Sequence, residues 1–550
     1  MAVAPLTKVT LKATKADIGA VLAGIVRFGT FHPIRENGME QDIGILLLAS
    51  KAQEVYGRAG DLLLRGGFGA KPLAKEVERF EARDLNDLVD SLDGYVRTVE
   101  DNAEIFATEH DREGVVSVLL AVQEAALMAF EDLQRILVLP QADGSVALKG
   151  YVPTRSLATF RAALGGALVS EDPAKPSKPD GQGKGEPYVP SLLVNRRVVS
   201  FFESLTLMRG LPRYGEVDPT PILALVFPLF FGLMFGDVGH GLALAVFGAY
   251  LIYGTQYGSW GKQIIVLSLS TTLVGLVRGV AFGLTFTSPL ASLFPLPPVF
   301  SASFTLSYVP LLLEVAVVVG TFHLASGYVI AFVNDERVGD HRRAFLNRLP
   351  TAVLYTFVVP LGFAVAGTGL ALGTLFTSDS PTPVFDQLLG LQVPVSLTAR
   401  ASLPFVLCAS LVMVLGYPAV EGVSLRSLRK VALGLGAGAL DTLVKLFEFF
   451  TNTLSYIRLG VLLITTTLLE TLTADVLAAG LAGVAIGAFL NVCVIGLEGL
   501  VVYIQDMRLQ LYEWFSSFYN GGGVPFVPLV SRGAHFTIEW AARPGLRAAP

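Results

Sequence analysis

Eight apolar stretches follow one another between residue 216 and the end of the 550-residue chain, and no other feature constrains its fold as much. The hydrocarbon core of a bilayer is about 30 Å thick, so a helix needs about 20 mostly apolar residues to cross it. The sequence therefore predicts an α-helical membrane protein with about eight transmembrane helices. The predicted segments are centred on residues 222–236, 242–254, 264–284, 309–332, 352–373, 403–417, 441–472 and 476–505.

Charged residues divide the chain into two predicted domains. Of the 41 Lys and Arg and 46 Asp and Glu residues, 53 lie in the first 215 positions. Such a composition shift is typical of a domain boundary. We therefore expect a cytoplasmic domain over residues 1–215 and a transmembrane domain over residues 216–550.

The predicted cytoplasmic domain shows one local pattern twice. Strand, helix and strand periodicities follow one another over residues 8–36 and again over residues 145–172. Between these two small α/β units, residues 74–139 are helical in composition and predict an antiparallel helical hairpin. This hairpin is either an ordinary packed pair or an extended coiled coil that docks other subunits. Residues 171–190 are rich in Pro, Gly and Lys and predict a mobile loop.

Several functional classes lack support in the sequence. The net charge of -5 gives no reason to expect a nucleic-acid partner. The two cysteines, Cys408 and Cys493, lie in apolar segments, which argues against a disulfide or zinc framework. No G-x-x-x-x-G-K-[ST] loop, H-E-x-x-H helix or CxxC pair occurs, so we expect no cofactor and no metal. Lysines interrupt the first residues where a signal peptide needs an apolar core, which predicts a cytoplasmic N-terminus.

The predicted topology follows from the basic residues of the loops. With eight crossings both termini lie on the same side, and loops rich in Lys and Arg are usually cytoplasmic. The loops that should be cytoplasmic contain eleven basic residues against Arg400 on the other side, which places both termini in the cytoplasm. The eleven are Lys262, Arg337, Arg342, Arg343, Arg348, Arg426, Arg429, Lys430, Arg532, Arg543 and Arg547.

One arginine, Arg458, lies inside the seventh apolar segment. A charge at the bilayer centre costs about 2.5–3.5 kcal/mol on insertion scales, so such residues usually face protein or water and serve a function. At 100° per residue, a polar stripe runs along most of this helix, with Arg458 about 80–100° to its side. The stripe consists of Glu448, Asn452, Ser455, Thr466 and Glu470.

The eighth apolar segment carries a second polar stripe. Asn491, Glu498 and Gln505 are seven residues apart and nearly eclipsed on a helix. Arg508 follows Gln505 by about one turn. Two polar stripes on the two long C-terminal helices predict a hydrated path through the membrane.

A structural role for these charges is the alternative. Arg458 could pair permanently with Glu448 or Glu498 and only hold the helices together. Arg508, near the cytoplasmic end of its helix, could extend its side chain to the membrane interface.

Another charged pair is predicted between the third and fourth segments. Arg278 lies among apolar residues of the third segment, and Glu314 lies in the fourth, both toward the outer side. An unpaired charge inside the membrane is costly. We therefore expect Arg278 and Glu314 to form a structural ion pair.

Three motifs make the chain similar to a known family. They are EVDPTPILALVFPLFFGLMFGDVGHGL over residues 216–242, TNTLSYIRLG over residues 451–460 and LEGLVVYIQDMRLQLYEWFSSFYNGGGVPFVPL over residues 497–529. With these motifs the chain resembles the membrane stator subunit of V-type and archaeal-type rotary ATPases, called subunit I in prokaryotes and subunit a in eukaryotes. For Asp237 and His240 of the first motif, we expect a role in a helix turn or in packing.

The resemblance implies roles for three residues. Arg458 resembles the essential stator arginine of the family, and Arg508 resembles a second arginine. Glu498, ten residues before Arg508, resembles the carboxylate of a half-channel. Eukaryotic members tend to have a histidine eight residues after the stator arginine, where this chain has Thr466, so that contributor is missing.

The resemblance also implies a mechanism. In this family a ring of small hydrophobic subunits, each with a carboxylate at mid-membrane, turns past the stator subunit. The implied task of Arg458 is to drive deprotonation of the ring carboxylate and to block a direct proton leak. The polar stripes would line two proton half-channels, and the chain would not be catalytic alone. The implied lining residues are Glu498, Gln505 and Asn491 on one helix and Glu448, Asn452 and Ser455 on the other.

The implied partners are the rotor ring, peripheral-stalk subunits, a subunit that caps the ring on the side of the central stalk, and the lipid bilayer. The implied location is a prokaryotic plasma membrane. A secondary ion-coupled transporter is the alternative function, but it predicts internal repeats, and we find no convincing repeat. A purely structural anchor is a third possibility, and it leaves both polar stripes without a purpose.

Overall fold

The structure is a computed structural model of the chain. It describes residues 3–14, 17–36, 38–65, 77–101, 109–176, 188–287, 309–369, 371–382, 386, 392–422, 428–478, 480–529, 533 and 536–540. Part of the predicted mobile loop lies outside these residues, as do Arg426 and the three arginines of the C-terminal tail. The chain forms two compact units, one of Ala2–Leu193 with Gly523–Pro550 and one of Val194–Gly522.

The first unit contains one mainly antiparallel sheet and several helices. Its elements are β1 (Leu6–Ala13), α1 (Ile18–Phe28), β2 (His32–Pro33), α2 (Ile43–Arg65), β3 (Glu78–Ala82), α3 (Leu85–Asp101), α4 (Glu109–Arg135), β4 (Leu139–Pro140), β5 (Val146–Pro153), α5 (Leu157–Leu164) and β6 (Leu168–Pro173).

The two predicted strand–helix–strand patterns share a single sheet. Its strand order is β2-β5-β1-β6, with β4 beside β5. β1 and β5 pair along their whole length, from Leu6 opposite Pro153 to Ala13 opposite Val146. The helices α1 and α5 pack on each other. The chain between the two patterns therefore leaves this sheet and returns to it.

The predicted helical stretch over residues 74–139 is wrong at its start. Glu78–Ala82 forms β3, which pairs in parallel with Phe536–Trp540 near the other end of the chain. The sequence of β3 alternates and buries Phe80 and Ala82, a period of two that fits a strand. α3 and α4 follow as predicted, but α2 packs along α4 as a third helix. A partner strand so distant in sequence leaves no local signal.

The second unit has a helix at each of the eight predicted segments. Six of the segments lie in helices that are long and apolar enough to cross a membrane, while two lie in helices of 15 and 17 residues. Its helices are α6 (Glu203–Met208), α7 (Thr220–Met234), α8 (Val238–Gly254), α9 (Gly258–Arg278), α10 (Val309–Val338), α11 (His341–Gly367), α12 (Val395–Val420), α13 (Leu428–Ser455), α14 (Ile457–Leu477) and α15 (Leu481–Ser517).

The chain is a helical, multi-pass membrane protein. By length and composition alone, seven helices among the described residues can cross a membrane. The seventh, Gly114–Arg135, is part of α4 in the first unit, where it packs against α2 and α3. The number of eight crossings stays a prediction.

The C-terminal helices depart from regular α-helical geometry at three points. Tyr456 interrupts the helix between α13 and α14, and its N–H donates to the Thr453 carbonyl three residues earlier. α15 contains two π-helical segments, Val494–Glu498 and Leu509–Trp514. Hydrogen bonds in such segments span five residues, and π-helical turns are frequent at functional sites. Residues on opposite sides of these points therefore cannot be assigned to one helix face by a rotation of 100° per residue. The two predicted polar stripes are interrupted there.

Buried aromatic side chains form the core around these irregular points. Tyr355, Phe449, Tyr456 and Trp514 are among the largest side chains that are completely buried. α10 is central to this core, since it contacts α11, α13, α14 and the end of α15. The polar residues of α13, α14 and α15 therefore lie on a rigid support.

Candidate functional site

Four polar side chains form what we call the arginine cluster: Ser455, Arg458, Arg508 and Glu513. Their common contact is the Oε1 atom of Glu513, in the second π-helical segment of α15. The Ser455 hydroxyl donates a hydrogen bond to this atom. Nη1 of Arg458 lies 3.7 Å from it, and Nε of Arg508 lies 4.0 Å from it. Arg458 also donates a 3.1 Å hydrogen bond from Nη2 to Ser455 Oγ.

The arginine cluster has one positive charge in excess. Two guanidinium groups share the carboxylate of Glu513, whose side chain is 5% exposed, while Arg458 is 21% and Arg508 57% exposed. Among the described residues, Nη1 of Arg458 and Oε2 of Glu513 are buried and make no hydrogen bond. A partly desolvated guanidinium is stabilised by each anion that reaches it. The cluster can therefore accept a further negative charge.

Glu513 is a residue that the helical periodicity of the sequence does not place beside Arg508, and the π-helical segment explains why. On a regular α-helix Glu513 would lie about 140° away from Arg508, five residues earlier. In a π-helix residues five apart are joined by a hydrogen bond. The segment Leu509–Trp514 therefore returns Glu513 to the side of Arg508. An acidic residue within an apolar and aromatic stretch is the only signal that the sequence offers.

The partner expected for Arg458 under the structural alternative is wrong. In the described part of the chain, no ion pair joins Arg458 to Glu448 or Glu498, and its acidic contact is Glu513. Glu448 is exposed on α13, and Asn452 is half-buried. Of the three residues predicted to line a path on α13, Ser455 alone reaches the arginine cluster.

Glu498 lies at a second polar contact, with Thr466 of α14. Its side chain is buried, and Oε1 lies 2.7 Å from Thr466 Oγ1. The same hydroxyl lies 2.7 Å from the carbonyl oxygen of Met234 and 3.0 Å from that of Leu462. A hydroxyl has one proton to donate, so these three oxygens compete for it. A proton on Glu498 reduces the competition, because Glu498 then donates to Thr466, and the Thr466 proton is left to the two carbonyl oxygens.

Asn491, the first residue of the stripe predicted on α15, is bound to His240 of α8. The Oδ1 atom of Asn491 lies 2.8 Å from Nε2 of His240. Asp237 begins α8 as its N-cap and accepts a 3.0 Å hydrogen bond from the His240 N–H. It also accepts hydrogen bonds from the N–H groups of Phe282 and Gly283. The expected turn role of Asp237 is confirmed. The expected packing role of His240 is confirmed as well, since its buried ring stacks on Phe235, and its Nε2 atom also contacts a polar side chain of α15.

Gln505, the last uncharged residue of the α15 stripe, is half-buried, and its Oε1 atom makes no hydrogen bond among the described residues. The next residue, Asp506, is fully buried. Gln510 donates a 3.4 Å hydrogen bond to it. Asp506 and Gln510 are buried polar residues of α15 that lie outside its predicted polar stripe.

The predicted ion pair between Arg278 and Glu314 is wrong. Arg278 instead forms a two-point pair with Glu470 of α14, with Nη2–Oε2 and Nη1–Oε1 distances of 2.9 and 3.1 Å. The two side chains are 2% and 5% exposed. Arg278 also donates to Thr467 and to the Gly236 carbonyl. Glu470 is therefore a structural partner, and the sequence could not show that the end of α9 reaches α14.

These features define a class of protein. It is a multi-pass helical membrane protein whose C-terminal helices hold an arginine cluster with excess positive charge and, apart from it, a buried carboxyl group. Among the residues that the structure describes, no group of His, Cys, Asp and Glu side chains could hold a metal ion.

Comparisons with known proteins agree with this class. The profile of the V-type ATPase 116kDa subunit family matches residues 126–264. The resemblance to subunit I of V-type and archaeal-type rotary ATPases, first inferred from three motifs, is thereby confirmed, and similar curated proteins support it. The A-type ATP synthase subunit I of Pyrococcus abyssi is 28% identical over 362 residues, which are 62% of this chain and 48% of that protein. The subunit I of Methanocaldococcus jannaschii is 26% identical over 495 residues, which are 82% of this chain and 65% of that protein. The subunit I of Halobacterium salinarum is 24% identical over 514 residues, which are 81% of this chain and 69% of that protein.

The present chain spans about half to two thirds of the length of these relatives. The match to Methanocaldococcus jannaschii covers 82% of the present chain, so it includes most of both units. The relatives are therefore similar to this chain well beyond the motif segments.

Proposed function

We propose that this chain is the stationary membrane subunit of a V/A-type rotary ATPase or ATP synthase, and that protons pass between it and a rotating ring of small subunits. The observation that carries the proposal is the unbalanced charge at Arg458, which shares the single carboxylate of Glu513 with Arg508. A purely structural pair is neutral, as that of Arg278 with Glu470 is, where one guanidinium meets one carboxylate at two points. The name shared by the relatives, A-type ATP synthase subunit I, supports the proposal.

Arg458 acts on the proton affinity of a ring carboxyl group. A carboxyl group that faces lipid has to be neutral, because an ionised one is costly to bury. At about 4 Å from a guanidinium, the ionised form is stabilised by about 4 kcal/mol at an effective dielectric of about 20. This energy changes a proton equilibrium by about a thousandfold. The ring carboxyl therefore releases its proton where it meets Arg458.

The same charge prevents a proton from crossing without the ring. A proton that approaches the arginine cluster meets two guanidinium groups and one carboxylate, and the excess positive charge repels it. Arginine suits this role because its guanidinium does not itself release a proton. Between encounters with the ring, Glu513 holds Arg458, since its Oε1 atom lies 3.7 Å from Nη1.

We assign two sets of polar side chains to two proton half-channels. The set on α15 is supported by its buried contacts, namely Glu498 with Thr466 and Asn491 with His240. Thr466 stands where eukaryotic members of the family tend to have a histidine, and its hydroxyl contacts Glu498 directly. The two sets are Glu498, Gln505 and Asn491 on α15, and Glu448, Asn452 and Ser455 on α13.

Replacement of Glu498 by glutamine should slow proton transport by about tenfold without abolishing it. The amide cannot take up and release a proton, but water beside the polar residues of α15 still provides a path. The measurement is the initial rate of ATP-driven proton uptake in vesicles that contain the whole complex. As matched controls, Thr466→Ser keeps the hydroxyl beside Glu498 and should stay near the normal rate, whereas Thr466→Val should slow transport. An unchanged rate in Glu498→Gln removes this residue from the path.

The proposed partners follow from the same function. The second unit faces the rotor ring and lipid, and the N-terminal domain, residues 1–215 in the sequence analysis, binds the peripheral stalk. A further subunit caps the ring on the side of the central stalk. We propose that the chain lies in a prokaryotic plasma membrane with both termini in the cytoplasm, and that nucleotide chemistry belongs to other subunits.

Purification of the tagged chain from its native membrane in mild detergent tests the proposed function. We expect very small hydrophobic ring subunits and peripheral-stalk proteins to accompany it, identified by mass spectrometry. The tagged chain after removal of its partners with a harsh detergent is the control for non-specific capture. A chain that is always recovered alone would contradict the proposal and would favour a secondary transporter.

A further inference from the structure

The arginine cluster is attached to two irregular points of the backbone. Ser455 and Arg458 flank the break at Tyr456, and Glu513 immediately precedes Trp514 at the end of a π-helical segment. Neither point has a regular hydrogen-bond ladder to fix its direction. The position of the cluster therefore depends on what packs behind Tyr456 and Trp514.

Both points rest on the same face of α10. A Cβ atom added at Gly320 would lie 2.2 Å from Cγ of Tyr456, and one added at Gly327 would lie 2.2 Å from Oγ of Ser517 and 3.1 Å from Cδ1 of Trp514. Gly320 and Gly327 are seven residues apart and nearly eclipsed on the helix. Because glycine has no side chain, Gly320 leaves space for Tyr456 at the break, and Gly327 leaves space for the end of α15. We call these two spaces the notches of α10.

His323 joins the two notches. Its Nδ1 atom lies 2.8 Å from the Tyr456 hydroxyl oxygen. Its ring stacks on Trp514, with centroids 4.8 Å apart and an angle of 21° between the planes. The indole N–H of Trp514 donates a 3.1 Å hydrogen bond to Ser326. Because all these side chains except Ser326 are buried, the contacts fix α13, α14 and α15 relative to one another.

We propose that this face of α10, formed by Gly320, His323, Ser326 and Gly327, positions Arg458 for its encounter with the ring carboxylate. His323 is a positioning residue that acts through Tyr456 and Trp514. It sets the separation between Arg458 and Glu513, and thereby how far the guanidinium can move toward an incoming anion. The proposal rests on the proposed function, and it adds residues of a helix outside both polar stripes.

A double-mutant cycle tests the link between His323 and Tyr456. His323→Leu and Tyr456→Phe each remove the 2.8 Å hydrogen bond, and a shift of about 1 Å in a reacting group can cost up to about a hundredfold in rate. We expect each variant to lower the protons transported per ATP hydrolysed by about tenfold. The double variant should be no worse than the single ones, since both remove the same contact. His323→Gln, whose amide can donate to Tyr456, should recover most of the ratio.

Gly320→Ala tests the notch, and Gly362→Ala on α11 is the matched control, because an added Cβ atom at Gly362 has no neighbour within 4 Å. We expect coupling to fall in the first variant and to stay normal in the second. All ratios are measured per assembled complex, quantified by the ring subunits that copurify with the chain. Tyr456→Phe keeps the aromatic ring, so it provides a result even where Gly320→Ala does not assemble.

Two outcomes would overturn the inference. A normal ratio of protons to ATP in every assembled variant, with only the amount of complex reduced, would show that the α10 face serves folding alone. Strictly additive effects of His323→Leu and Tyr456→Phe would show that the two residues act separately. The variant Arg458→Gln, measured in the same series, tests the proposed function separately. If Arg458→Gln pumps protons normally, the proposed function fails. If Arg458→Gln does not pump and one of the two outcomes above is found, only the inference about α10 fails.

Discussion

Replacement of Arg458 by glutamine should abolish coupled proton transport while the complex still assembles. Glutamine keeps much of the side-chain length and hydrogen-bonding ability but removes the charge, and with it about 4 kcal/mol of stabilisation of an ionised carboxylate at about 4 Å. The ring carboxyl then keeps its proton when it reaches the stator. ATP-driven acidification of reconstituted vesicles measures the effect, and copurification of the ring confirms assembly.

Two further substitutions make the result for Arg458 specific. Arg458→Lys keeps the positive charge but places it on a group that can release a proton, so we expect it to restore only part of the transport. Arg400→Gln removes a charge from an exposed position of α12, where the side chain donates to the Phe376 carbonyl, and should pump normally. If Arg458→Gln and Arg400→Gln lose the same amount of proton transport, the loss comes from removing any positive charge and is not specific to Arg458.

Replacement of Arg278 by methionine should prevent stable folding of the membrane part. The substitution leaves the carboxylate of Glu470 buried without its partner, and the loss of one member of a buried ion pair typically costs about 3–5 kcal/mol. The cost should be at least as high inside a membrane, where no water reaches the remaining charge. The measurement is the yield of monodisperse chain in mild detergent and the temperature at which it aggregates.

The double variant Arg278→Met with Glu470→Leu is the control for this prediction. It replaces both charges by apolar side chains of similar size, which is often neutral or even stabilising in protein interiors. We therefore expect it to recover yield, aggregation temperature and proton transport. A double variant that folds but does not pump would contradict the structural role and would place the pair in the proton path.

Arg458 and Arg278 differ in a way that the sequence could not reveal. Both are single arginines in apolar segments, and local sequence gives both the same high cost of burial. The difference lies in their partners: Glu470 meets two nitrogens of Arg278, whereas Glu513 is shared between two arginines. Charge balance depends on which helices are neighbours, and no periodicity within one helix contains that information.

The helical segments themselves could be predicted because hydrophobicity is a property of each segment alone. The contacts of the polar residues can be predicted from sequence only where the helices are regular. The helices are irregular at Tyr456 and in the π-helical segments of α15. Glu513 was missed for this reason. The strand Glu78–Ala82 was missed for another, since its partner Phe536–Trp540 lies near the opposite end of the chain.

The most direct test of the account is whether the surface beside Arg458 touches a ring subunit near its carboxylate. Val461 follows Arg458 by one turn of α14 and is 48% exposed. A photoreactive residue at this position in the whole complex should cross-link to the ring subunit, at residues next to its membrane-buried carboxylate, as mass spectrometry can show. Val246 on α8, also exposed, is the control position and should give no such product. If position 461 cross-links only to lipid while the assembled complex pumps protons, Arg458 does not face the ring, and the account is contradicted.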